Sequence, residues 1–240
     1  MSILAVIGGR AVVRDEVLAW EARRIDAVAR KLDLTVPSGG LPERRAALLQ
    51  AKLDLGPQLI AVRQARDVRW AARIGRASNH PKGRRRFSIC ELHVSSGSAA
   101  QFAAWFQART RENDEEAMLA ACPDHFVLRT DPDGRQEVLE TTGGSPLASR
   151  FFVDYDDVST LITKPDPAFP EQIAGAAFMA DGVPSAACVT SSATTMTAST
   201  PASLSSFPRS PTRTCSRSIV GTWPASSPTG SKPQRTARST

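Results

Sequence analysis

The chain has 240 residues, with 30 Lys+Arg against 24 Asp+Glu and a formal net charge of +6. Taken whole, that balance points to a polyanion partner. Its distribution does not: the last acidic residue is Asp181, and six basic residues (Arg209, Arg213, Arg217, Lys232, Arg235 and Arg238) lie beyond it, so the body keeps 24 of each sign and is neutral.

Four cysteines stand at 90, 122, 188 and 215 without C-x-x-C spacing, which excludes the common zinc and redox motifs. Only two lie in the body, as suits a reducing compartment. No apolar run approaches the length of a membrane span. The opening "MSILAVIGGRAVVRDEV" lacks an apolar core followed by a cleavage site. A cytoplasmic protein with no membrane partner is the expectation.

Residues 14–34 place Leu18, Ala22, Ile25, Ala29 and Leu32 at helical spacing, with Val28 beside them and charges on most of the other face. "TVPSGG" ends this helix. A second begins near Pro42-Glu43 and stops at Gly56-Pro57, and a third covers about 58–77. Residues 1–80 are therefore expected to form a helical N-terminal layer.

A loop, "NHPKGRRR", precedes a change of period, and "FSICELHV" at 87–94 alternates as a strand does. "GSAAQFAAWFQARTR" follows as a helix, with Phe102, Trp105 and Phe106 expected in the core. Asn113-Asp114 can cap a short helix, "EEAMLAAC". "HFVLRTDPDGRQEVLETT" reads as a hairpin around Asp131-Pro132-Asp133-Gly134. Strands are expected at 148–157 and again from "IAGAAFMADGVP".

Hairpin-joined strands with grouped helices define an α+β fold with a mainly antiparallel sheet over 81–184. The order over 87–184 resembles the helix-grip fold. It also resembles the cone-shaped domain of polyketide cyclases and nuclear transport factor 2. The helix-grip resemblance implies a hydrophobic ligand held between a curved sheet and the last helix, and the cone-shaped one implies helices preceding a curved sheet.

Residues 185–240 contain 14 Ser, 11 Thr and 6 Pro and no acid. Such a segment lacks the apolar surface to build a core, so a disordered tail is expected. Arg outnumbers Lys 25 to 5. GC-rich coding DNA is implied, and reading the tail in a shifted frame yields a strand, a turn and a capped helix in order. A frameshift near Pro184 is the expectation.

No phosphate-loop, dinucleotide or metal motif is present, so no cofactor is expected. Glu91 and His93 share one face of their strand, and His125 and Arg129 one face of theirs. If the two strands line one cavity, Glu91 can orient His93 or His125 as a general base while Arg129 holds an anion. This makes small-ligand binding, or cofactor-free acid/base chemistry, the leading expectation. The second is nucleic-acid association. Arg66, Arg69, Arg73 and Arg76 fall within about 80° of a helical wheel, and Lys82, Arg84, Arg85 and Arg86 follow. The third is oligomerisation or partner binding through the helical layer. Whether the protein is an enzyme, and its oligomeric state, stay open at this level.

Overall fold

A computed structural model of the chain describes residues 3–7, 9–78, 87–94, 97–159, 167, 170–182, 184–196 and 212–222. Two strands, β1 (Ile3–Ile7) and β2 (Arg10–Val12), come first and pair antiparallel. The expected all-helical N-terminal layer thus begins with a hairpin. Its apolar run is too short to announce a strand alone and becomes one because β1 also pairs with a strand some eighty residues later.

Helix α1 (Arg14–Leu32) buries Ile25, Val28, Ala29 and Leu32. Asp33, at φ 51°, ends it in the left-handed conformation, and the Leu34 amide donates back to the Ala29 carbonyl at 2.8 Å. Helix α2 (Leu41–Ser78) contains both remaining expected helices, divided at Gly56. Gly56 adopts φ 74°, ψ 156°, a region essentially closed to other residues. Pro57 follows it and has no amide to continue the ladder. The two arms of α2 therefore differ in direction while both pack inward through Leu48, Lys52, Ile60 and Gln64.

Strand β3 (Phe87–Val94) follows, then α3 (Ala99–Arg111) and α4 (Glu115–Ala120). Ser98 and Gln101 form a reciprocal capping box on α3. The Asp114 carboxylate accepts from the Ala117 amide at 3.0 Å and caps α4. Bonds to that amide and to Arg109 hold the Asp114 carboxyl below its ordinary value. Strands β4 (His125–Thr130) and β5 (Gln136–Glu140) form the expected hairpin. Strands β6 (Ser149–Asp154) and β7 (Glu171–Met179) extend it.

Two segments of the Ser/Thr-rich tail, β8 (Pro184–Met196) and β9 (Thr212–Thr222), continue the sheet. Both are rich in Thr, Ser and small apolar residues, and β-pairing needs only backbone donors and acceptors. Tail residues 197–211 and 223–240 lie outside the described residues. Among the described residues, nine strands run β2-β1-β3-β9-β8-β7-β6-β5-β4, every pair antiparallel.

The β4–β6 end of the sheet is covered on both faces. On one, Val127 and Leu139 pack with Ile25, Val28 and Leu32 of α1 and Leu48 and Ile60 of α2. On the other, Leu128, Val138, Val153 and Ala177 pack with Met118 of α4 and Phe106 of α3. Phe106 meets the core as expected, whereas its neighbours Phe102 and Trp105 stack on each other 6.2 Å apart and remain exposed. Helical spacing marked all three as one stripe, but the sheet accepts only the Phe106 side of it. Among the described residues, no helix is long and apolar enough to cross a membrane.

Candidate functional site

Sheet order separates the four residues expected to converge. Glu91 and His93 lie on β3, in register with Val6 and Leu4 of β1. His125 and Arg129 lie on β4, at the far edge. Six strand spacings intervene, each about 4.8 Å. Strand order therefore sets the Glu91 and His93 positions six spacings from those of His125 and Arg129.

Nor do His125 and Arg129 share a face. The pairing shifts by one residue between His125 and Val127, so Phe126 and Val127 both oppose Leu139. This is a β-bulge. It turns His125 to the side of Glu140, while Arg129 stays on the side of Glu137. Phe126 accordingly packs with Val127 and Leu139 in one cluster. Simple alternation fails here because one inserted residue inverts the pattern.

His125 and Arg129 each have a local partner. His125 Nδ1 lies 2.8 Å from the Met118 carbonyl, and Nε2 lies 3.6 Å from a Glu140 carboxylate oxygen. Glu140 thus holds the imidazole-orienting place that the sequence reading gave Glu91. The hairpin register, once the bulge is known, supplies that pairing. Arg129 donates to Glu137 at 2.8 Å, and Arg150 donates to the other Glu137 oxygen at 2.7 Å. Glu137 is 5% exposed and is shared by two guanidinium groups. The Arg129 guanidinium is thus engaged through its Nε with Glu137.

Beside His125 lies a polar cluster that sequence reasoning missed. Arg24 of α1 grips Asp124 through two nitrogens, with a closest approach of 2.6 Å, and Thr141 donates to the same carboxylate. Lys52, 2% exposed, donates to the carbonyls of His125 at 2.8 Å, Leu119 at 3.3 Å and Pro123 at 3.5 Å. Burial pushes the Lys52 ammonium down to about 8, partly opposed by Cys122 and Asp124. Burial likewise raises the Cys122 thiol. A neutral thiol and an ammonium saturated by carbonyls make this cluster a fastener between helices and sheet. No spacing motif links positions 24, 52, 124 and 141, so only tertiary contact reveals it.

The arginine stripe is different. Arg66, Arg69, Arg73 and Arg76 all lie on the exposed face of the second arm of α2. Ile60 and Gln64 occupy its buried side. Arg76 reaches Asp181 at 2.5 Å. Among the described residues, Arg66, Arg69 and Arg73 have no carboxylate within 4.0 Å. The nearby acid Asp67 is taken by Lys31 and by the Ala148 amide. Other arginines pair with acids, as in Arg24–Asp124, Arg44–Asp26, Arg45–Glu21 and Arg109–Asp114, whereas Arg14, Arg23, Arg30, Arg63 and Arg111 have no ion pair among the described residues but do not form one helix stripe. Trp70 stands within the stripe, with the Arg73 guanidinium carbon 5.2 Å from its ring centroid. Lys82, Arg84, Arg85 and Arg86 lie outside the described residues.

No protein family matches the chain, and neither the curated proteins nor the solved structures compared with it give a match. Fold and local geometry define it as an α+β protein with an antiparallel sheet. Among the described residues, no group of three or more His, Cys, Asp or Glu side chains is placed to hold a metal ion.

Proposed function

We propose that the protein associates with nucleic acid through the second arm of α2. The observation that supports this reading is the run Arg66, Arg69 and Arg73: three exposed guanidinium groups in three successive turns with no acidic partner among the described residues. Several arginines of this fold pair with carboxylates, whereas these three stand together on one helix face without them. Arginines left without counter-charges attract phosphates, and displaced counterions supply the driving force. The body's overall neutrality does not oppose this, because binding responds to the local field.

The experiment is fluorescence anisotropy of labelled oligonucleotides with the full chain, from 50 to 200 mM salt. Three phosphate contacts predict a log–log salt slope of about −2 to −3. The triple variant Arg66→Glu, Arg69→Glu, Arg73→Glu should abolish binding. Binding that survives the reversal belongs to the basic residues of 185–240 and overturns the proposal, as does absence of binding by the unaltered chain.

A further inference from the structure

Resting on the nucleic-acid reading, we infer that the preferred ligand is a single strand, with a base stacked on Trp70 while Arg66, Arg69 and Arg73 hold the flanking phosphates. Trp70 is 48% exposed on a helix whose inward face is fully used by the core. One helical turn separates it from Arg66 on one side and Arg73 on the other. The Arg73 guanidinium lies over one face of the indole, 5.2 Å from its centroid, so the base stacks on the opposite face. An aromatic plane set among guanidinium groups is the element that single-strand binding uses, because unpaired bases offer their faces to it. A duplex keeps its bases stacked and offers the indole nothing but backbone.

The same face argues against one other occupant. A symmetric second copy sets the same patch against itself, bringing uncompensated arginines together. Ile74, one turn beyond Trp70, is also exposed and extends the apolar surface beside the ring.

The test compares an oligothymidylate with a duplex of equal length, at one salt concentration. Trp70→Ala should weaken oligothymidylate binding about 5- to 150-fold, which is the loss of one stacked base. It should leave duplex affinity unchanged, and Trp70→Phe should restore most of the loss. Oligothymidylate should also quench tryptophan fluorescence in the unaltered chain, and less so in Trp70→Phe. If the triple arginine reversal abolishes binding but Trp70→Ala changes nothing, the stacking inference fails while the arginine reading stands. Equal loss on strand and duplex also refutes stacking. Tighter binding to phosphatidylserine vesicles, or a doubled mass in light scattering that Trp70→Ala returns to monomer, assigns the face to a membrane or a second copy and overturns the inference. If the unaltered chain binds no oligonucleotide, both readings fall.

Discussion

Lys52 gives stability a pH dependence that can be worked out from its surroundings. Folding lowers its pKa from 10.5 to about 8, chiefly through burial. About 1.4 kcal/mol accompanies each pKa unit, so the buried charge costs about 3 kcal/mol at neutral pH. The cost is fully present below pH 8, where folded and unfolded chains both carry the proton. As pH rises through 8 the folded protein releases it first, while the unfolded chain keeps it until about 10.4. Stability should therefore rise across that interval. Cys122 works in the opposite direction, because its buried thiol holds a proton that the unfolded chain loses. The comparison is best made in a Cys122→Ala background, with and without Lys52→Met. Urea unfolding followed by circular dichroism, at intervals from pH 7 to 10.5, gives the two stability curves. The lysine-bearing protein should gain about 3 kcal/mol on the methionine variant between pH 7.5 and 10.5. Parallel curves would refute the burial argument. A falling difference would mean that the three carbonyls stabilise the ammonium more than burial penalises it.

Other expectations concern packing. Asp124→Asn leaves Arg24 facing a neutral group in a pocket where the carboxylate side chain is only 5% exposed. It should cost about 3–5 kcal/mol, and a loss below about 1 kcal/mol in urea unfolding would show the pair to be dispensable. A Cβ on Gly175 would lie 2.8 Å from the rigid Asp154 carbonyl oxygen, whereas one on Gly75 would meet the flexible end of Met179 at 2.7 Å. Gly175→Ala should therefore destabilise by about 1–3 kcal/mol, while Gly75→Ala stays within about 1 kcal/mol of the parent, helped by helix propensity. Equal losses would contradict the distinction between a backbone neighbour and a mobile methyl. Gly56→Ala forces a side chain into a strained conformation and should lower the urea midpoint by an amount worth about 1–3 kcal/mol; an unchanged midpoint would mean that the kink relaxes freely.

Local chemistry made much of the fold legible. The Ile25, Val28 and Leu32 stripe, the Gly56-Pro57 break, the Asp114 cap and the Asp131–Gly134 turn each act through residues close in sequence. Exposure of the arginine stripe was also readable, since helical spacing sets which residues face away from a buried Ile60 and Gln64. The residues expected to form an acid/base site were not placed correctly by the same rules. Alternation could not foresee the bulge at Phe126, and no local pattern reports that five strands stand between β3 and β4.

Helices and turns were set locally along the chain, because capping, periodicity and the special backbone needs of Gly and Pro are decided within a few residues. Tertiary structure alone decided which side chains meet. The strand order parts His93 from His125, the bulge parts His125 from Arg129, and the fold buries Lys52 among carbonyls of α4, β4 and the turn between them. It also gives Asp67 to Lys31 and leaves Arg66, Arg69 and Arg73 facing solvent without acids among the described residues. Pairings of this kind depend on the whole chain closing at once, so composition and spacing carry no record of them.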